Sequence, residues 1–273
     1  MSGLTLHARH LACKRGDAGH LIVLHGLLGS SDNWQSLGKR YASHHHVWML
    51  DARNHGRSPH ASSHTYTEMA EDVVRFMDAR GIAKASFLGH SMGGKTVLIL
   101  SQHHPGRMER MVVADIAARA YTPHHGPIFD ALLGTRPSKA SSREEVQSQL
   151  TQALGADPVL VPFLMKGLHR HKEGGFIWRF NVPVLKDALS GVVGEVGLSM
   201  NTLPALFIRG GESPYVSDED LDLMADHFVH MDDHTIDGVG HWLHAEAPDE
   251  FFDVTADFLG QVPRRSLGPF GPT

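Results

Sequence analysis

Short, almost wholly apolar runs alternate along the chain with longer amphipathic segments. The runs are "HLIVLHG" (20–26), "HVWMLD" (46–51), "KASFLGH" (84–90), "RMVVAD" (110–115) and "PALFIRG" (204–210). Apolar residues at successive positions imply burial on both faces, which is the habit of parallel strands. One intervening segment, "TYTEMAEDVVRFMDARG", places Met69, Val73, Phe76 and Met77 on one helical stripe. Thr65 and Glu68 have the spacing of a capping box, and Gly81 supplies a stop. Parallel neighbours require crossover helices, so the alternation predicts a mostly parallel, doubly wound α/β sheet. Near the start, "LTLHARHLA" is read as an antiparallel edge hairpin.

The rhythm breaks between Arg119 and about Asn201. Six prolines fall there (Pro123, Pro127, Pro137, Pro158, Pro162 and Pro183), with a polar run "RPSKASSREEVQSQ" and helical pieces such as 143–154. No buried strand is evident in it. A stretch of this length bounded by sheet strands predicts a mostly helical cap or lid over the sheet's C-terminal edge. The expected organisation is a core of residues 1–118 and 202–260, a helical cap of residues 119–201, and a disordered Pro/Gly-rich tail at 261–273.

Bulk properties narrow the function. The 273 residues are 41% hydrophobic and 20% charged with net charge −5, values of an ordinary globular chain. No basic face follows, so nucleic acid is not expected as a partner. Cys13 is the only cysteine, which excludes an intramolecular disulfide and argues against a thiolate metal cluster. His44-His45-His46 could be a metal-binding tract, but adjoins the strand-like "VWML" and reads equally as a solvated turn. The start "MSGLTLHARH" lacks the apolar run of a secretion signal, and no window approaches a membrane-spanning length; a cytoplasmic enzyme without membrane insertion is expected.

Candidate chemistry concentrates in "FLGHSMGGKT" (87–96), which fits two motifs at once. Gly89-His90-Ser91-Met92-Gly93 is G-x-S-x-G, the turn that presents a nucleophilic serine; Gly89 to Thr96 is also G-x-x-x-x-G-K-T, a phosphate-binding loop centred on Lys95. Both need a strand–loop–helix context, and "MVVAD" even mimics a magnesium-binding strand end.

Distant segments separate the two. A serine hydroxyl needs a histidine base and an acid that orients it. "DGVGHWLHAEAPDEF" offers His241 on a Gly-flanked loop before a last helix, in preference to His244 three residues on. Nucleophile first and histidine last is the chain order of α/β-hydrolases. Two backbone N–H groups should hold the oxyanion: Met92, after the nucleophile, and Leu27, in the Gly-rich turn "HGLLGS" after an early strand. Nucleotide binding at Gly89–Thr96 explains none of these segments and stays a remote alternative, with Lys95 a solvated or packed helix residue. Asp51 precedes the nucleophile and is assigned instead to backbone N–H groups of a Gly-Arg-Ser turn. His25, His90 and Trp242 are candidate pocket residues, with packing or loop bonding as the competing role for the two histidines. Met92, Phe163 and Trp178 are further candidates for lining an acyl pocket.

At this point the chain resembles the YbfF-type bacterial esterases of the α/β-hydrolase superfamily. The resemblance rests on "HGLLGSSDNW", "DARNHGRSP", "GHSMGGK", "DIA", "WRFNVPVL", "GGESPYVS" and "GHWLHAEAPD", which span residues 25 to 249. It implies the α/β-hydrolase fold, with the helical cap inserted after the sixth strand, and carboxylesterase activity on short acyl chains, with acyl-CoA thioesters as a further substrate class. The triad acid is less direct. The usual slot after "PALFIRG" holds Ser213, which carries no charge; Glu212, Asp115, Asp218 and Asp220 are the carboxylates to choose among. The resemblance favours Asp115, with Ser213 as a hydrogen-bonding accessory. Ser91, His241 and Asp115 then form a triad that needs neither metal nor organic cofactor. A serine at the nucleophile position argues against dehalogenase or epoxide-hydrolase chemistry; carbon–carbon bond hydrolysis, perhydrolysis and a non-catalytic binding role remain as rivals.

Overall fold

A computed structural model describes residues 4–260; the expected tail at 261–273 lies outside them. Nine strands form: β1 (Ala8–Leu11), β2 (His20–Leu24), β3 (His46–Leu50), β4 (Ala85–His90), β5 (Met108–Ala114), β6 (Leu168–Arg170), β7 (Phe176–Trp178), β8 (Ala205–Gly210) and β9 (Met231–Ile236). The helices are α1 (Gln35–Tyr41), α2 (Tyr66–Asp78), α3 (Met92–His103), α4 (Gly126–Gly134), α5 (Arg143–Leu154), α6 (Leu160–Met165), α7 (Val182–Asp187), α8 (Leu189–Val192), α9 (Asp218–Ala225), α10 (Leu243–Glu246) and α11 (Pro248–Phe258).

Seven strands make one sheet in the order β1-β3-β2-β4-β5-β8-β9, parallel except for β1. The period-two geometry of a strand sends alternate side chains to opposite faces, and both faces are covered. Ile22, Leu24, Phe87, Val113 and Phe207 point toward α2, α3 and α9. Leu21, Val23, Leu88, Val112 and Ile208 point toward α1 and α11. This two-sided burial is why the strands read as continuous apolar runs. In α2 the capping box forms as expected, with Thr65 accepting from the Glu68 amide and Glu68 returning to Thr65, and Met69, Val73, Phe76 and Met77 are all buried. Gly81 ends the segment at φ +65.

Two expectations need correction. "LTLHARHLA" gives one edge strand, not a hairpin: β1 pairs with β3, while the backbone of His7 is satisfied by the Asp51 amide and the Ser58 hydroxyl. The long excursion therefore leaves the sheet after its fifth strand in chain order among the described residues, not after a sixth. The excursion also contains strands, since β6 and β7 form a small antiparallel ribbon too short to show a pattern in sequence. With α4 to α8 it packs its own apolar cluster, including Phe129, Leu132, Val146, Leu150, Leu164 and Leu185, against Leu28 of the sheet layer.

Lys95 is not solvated. It is fully buried, and its ammonium donates to the carbonyls of Arg119 (2.8 Å) and Gly194, joining the two ends of the excursion beneath the Tyr121 ring. Burial lowers its pKa to about 8. A lysine wholly buried, with its ammonium held on two carbonyls, is not presented to a phosphate, so the nucleotide-loop reading loses its central residue.

Candidate active site

Ser91 stands between the end of β4 and the first residue of α3, at φ 53 and ψ −119. A left-handed φ is costly for a side-chain-bearing residue and persists only where the surroundings enforce it. The neighbouring glycines are that surrounding. A Cβ on Gly89 would lie 2.3 Å from the Gly93 carbonyl oxygen, and one on Gly93 would lie 2.4 Å from that of Leu24. Strand and helix thus meet backbone to backbone, and the turn projects the serine. Its hydroxyl bonds no other described residue, and Ser91 lines a cavity of about 310 Å³.

His241 lines the same cavity. Its Nδ1–H donates to Asp115 Oδ2 at 2.7 Å, which leaves Nε2 as the nitrogen free to take a proton. Asp115 follows β5, is fully buried, and adopts φ 50. Its carboxylate also accepts from the Gly210 amide at 3.0 Å and from the Ser213 hydroxyl. Three donors hold the buried carboxylate in one rotamer. Of the competing acids, Glu212 is exposed. Asp220 caps α9 and forms a two-pronged pair with Arg119 at 3.0 Å, and Asp218 pairs with Arg209. The geometry brings Asp115, His241 and Ser213 together and leaves the other three carboxylates elsewhere.

Leu27 also lines the cavity, beside Ser91. Neither its amide nor that of Met92 donates to a described residue. Leu27 lies within a tight turn in which Leu28 takes φ 60 and the Gly29 amide returns to the Gly26 carbonyl. The turn is fixed from behind: the Leu28 amide donates to His55 Nε2 at 3.1 Å, and His55 Nδ1–H donates to the Arg53 carbonyl at 2.9 Å. Burial pushes the His55 pKa well down, so the ring stays neutral and able to accept. Asp51 accepts from the Ser31 and Arg57 amides at 2.7 and 2.8 Å, the backbone role expected of it.

Of the six candidate pocket residues, four line the cavity and two do not. His25, His90, Trp242 and Phe163 all line the cavity. His25 and His90 bond the loops as well: His25 donates to the Gly26 carbonyl and accepts from Ala52, while His90 Nε2–H donates to the His241 carbonyl at 2.8 Å. The Met92 side chain instead points into the sheet–helix core, with His64 Nε2 3.3 Å from its sulfur. Trp178 turns away too, stacking on Phe180 and donating to Thr135.

Sequence reasoning missed several residues around the histidine. Tyr215 stacks on the His241 ring at 4.0 Å between centroids, and its hydroxyl bonds His124 Nε2 at 2.9 Å. Glu246 accepts from the amides on both sides of His241, Gly240 at 2.8 Å and Trp242 at 3.2 Å. Together with His90 on the carbonyl, these contacts fix the His241 peptide. Among the described residues no group of three or more His, Cys, Asp or Glu side chains could hold a metal ion, and no helix is long and apolar enough to cross a membrane.

Comparison with known proteins agrees with this architecture. Residues 19–248 match the family model described as the alpha/beta hydrolase fold. The chain is 40% identical to esterase YbfF of Escherichia coli (strain K12) over 240 residues, covering 88% of this chain and 92% of that protein. It is 32% identical over 248 residues to the mouse sn-1-specific diacylglycerol lipase ABHD11, covering 88% of this chain and 80% of that one. A solved marine microorganism esterase superposes with a TM-score of 0.89 at 35% identity, covering 94% of this chain and 100% of that one. On sequence and on fold, the chain belongs to the α/β-hydrolase family.

Proposed function

We propose that the protein is a carboxylesterase that works through an acyl-Ser91 intermediate. The observation that carries the reading is the His241–Asp115 hydrogen bond at 2.7 Å beside a serine held in a strained turn on the same cavity. His241 Nε2 takes the Ser91 proton as Oγ attacks the ester carbonyl carbon. The resulting oxyanion is held by the free amides of Leu27 and Met92. Collapse expels the alcohol, which receives the proton from His241. Water then attacks the acyl carbon, gives its proton to His241, and the second collapse returns that proton to Ser91 and releases the acid. Asp115 stabilises the imidazolium in both halves, and Ser213 and the Gly210 amide keep its carboxylate aimed.

Residues 119–201 act in this proposal as a cap on a core of residues 1–118 and 202–260, because His124, His125, Ile128 and Phe163 supply one wall of the cavity. A volume of about 310 Å³ stands at the small end of ligand pockets, which favours short acyl chains. Thioesters would follow the same steps. The chemistry asks for no metal or organic cofactor. The test is turnover of p-nitrophenyl acetate by the wild type and by Ser91→Ala. The reading expects activity in the first and a loss on the order of 10⁴-fold or more in the second. A Ser91→Ala protein as active as the wild type would end it.

A further inference from the structure

The mechanism leaves unused a crevice beside the catalytic cavity, on the seam between cap and core. Leu28, Gly29, Asn33 and Phe163 line both, so the two share one wall. Four cationic side chains converge on the crevice from separate segments. Arg9 stands on β1 and Arg57 on the loop after β3, while Lys166 follows α6 and Arg179 follows β7. The last two segments are tied by the Arg179 amide, which donates to the Gly167 carbonyl at 3.0 Å. Two carboxylates share the wall. Asp32 pairs with Arg9 and accepts from Gln35 at 3.0 Å. Asp51 is occupied by the Ser31 and Arg57 amides and by His7. The side chains of Arg57, Lys166 and Arg179 make no hydrogen bond or ion pair with a described residue.

In a chain of net charge −5, four positive side chains against two negative ones leave this wall with a surplus that matches a phosphate monoester dianion. Like charges crowd there. Burial and then the Arg57 guanidinium pull the Arg179 pKa below its usual value, Arg9 adds to the effect, and Asp32 and Asp51 oppose it. His169, also on the wall, has its pKa lowered by burial and by Arg179 and adds no charge near neutrality. An anion would relieve the repulsion, and guanidinium forks match phosphate oxygens in geometry as well as charge. We propose that the crevice is a binding site for a phosphate group, held by Arg57 and Arg179 with Lys166 at its rim. The crevice itself is narrow, about 10 Å³, so the phosphate sits at its mouth, where Arg57 and Lys166 are exposed. The shared wall includes Leu28 and Gly29 of the oxyanion turn. The phosphate can therefore be the far end of an ester bound at Ser91 or a free ion; the chemistry at the guanidiniums is the same. The first source rests on the esterase reading, and the site itself does not.

Titration calorimetry of the wild type, Arg57→Gln and Arg179→Gln with inorganic phosphate, against potassium chloride of equal ionic strength, tests the site without turnover. Each substitution should weaken phosphate binding roughly tenfold or more, the loss expected of one charge-assisted hydrogen bond. Melting curves check that both variants fold. Turnover then separates the sources. The substrates are acetoxypropyl phosphate and acetoxyhexyl phosphate, each beside the ester with a free hydroxyl in place of the phosphate. If the substrate supplies the group, at least one phosphorylated ester should show a kcat/KM roughly tenfold above its neutral partner, and the substitutions should erase that advantage. Equal kcat/KM values, with arginine-dependent binding of inorganic phosphate, would identify the free ion. A phosphate affinity or preference that neither substitution lowers, or the absence of both saturable binding and preference, would overturn the site. No p-nitrophenyl acetate turnover by the wild type, with arginine-dependent phosphate binding intact, would overturn the esterase reading and leave the site standing.

Discussion

Asp115→Asn is the most informative single substitution, because the structure dictates how the new side chain must sit. Asp115 Oδ1 accepts from the Gly210 amide, while Oδ2 receives His241 Nδ1–H and the Ser213 hydroxyl. An asparagine must keep its carbonyl oxygen toward Gly210, since its NH₂ group cannot accept from that amide. The NH₂ then faces His241 Nδ1, donor against donor, unless the imidazole moves its proton to Nε2. That tautomer cannot take the Ser91 proton. The imidazolium also loses its counter-charge. Two unit charges about 4 Å apart interact by about 4 kcal/mol at an effective dielectric constant near 20, equivalent to roughly 10³-fold in rate. With the tautomer reversed as well, kcat for p-nitrophenyl acetate should fall on the order of 10³–10⁴-fold, with little change in KM. Folding should survive, because asparagine tolerates the left-handed φ of 50 better than most residues. Melting curves of the two proteins check that point. Glu212→Gln serves as the control and should be silent. A kcat for Asp115→Asn within about tenfold of wild type, in a folded protein, would refute the assignment of the acid.

Other consequences are equally concrete. Lys95→Ala should cost about 2–4 kcal/mol of stability, since it opens a buried void and strips a donor from the Arg119 and Gly194 carbonyls; denaturant titration measures the loss, while kcat per folded molecule stays near wild type. Glu246→Ala removes both amide anchors of the His241 loop and should lower kcat roughly tenfold, with Glu246→Gln between the two because one acceptor oxygen remains. Stability should fall as pH drops below about 6.5, because the unfolded chain protonates its histidines there. The folded chain resists down to about 4 at His45, His64 and His125 and to about 3 at His244. In that window the unfolded state binds more protons, so urea midpoints should rise with pH; a flat or falling profile would contradict the burial of neutral imidazoles.

The sheet was legible because two-sided burial leaves uninterrupted apolar runs such as Leu21 to Leu24, and α2 because its stripe and its Thr65–Glu68 cap are local. Ser91 was legible for the same reason: the backbone crowding at Gly89 and Gly93 writes itself into adjacent residues. Asp115 needed the family resemblance, since a carboxylate 126 positions from its histidine leaves no spacing to read. For Lys95 the sequence left a solvated and a packed role open, and the structure shows the packed one. Its partners Arg119 and Gly194 lie in a distant, proline-broken stretch, and nothing local signals that a lysine will be spent on carbonyls. His55 and Tyr215 acquire their roles from contacts with distant segments, at Leu28 and at His124, and Glu246 from loop amides whose approach no periodicity signals; β6 and β7 are too short to announce themselves.

Acylation at Ser91 Oγ is the event on which the mechanism turns. Treating the protein with an excess of a p-nitrophenyl alkylphosphonate and mapping the adduct by peptide mass spectrometry tests this directly. A single phosphonyl group on the peptide containing Ser91, formed in step with loss of esterase activity and greatly slowed in His241→Ala, is the predicted result. Activity lost with the label on another residue, or Ser91 left unlabelled in an inactivated protein, would contradict it.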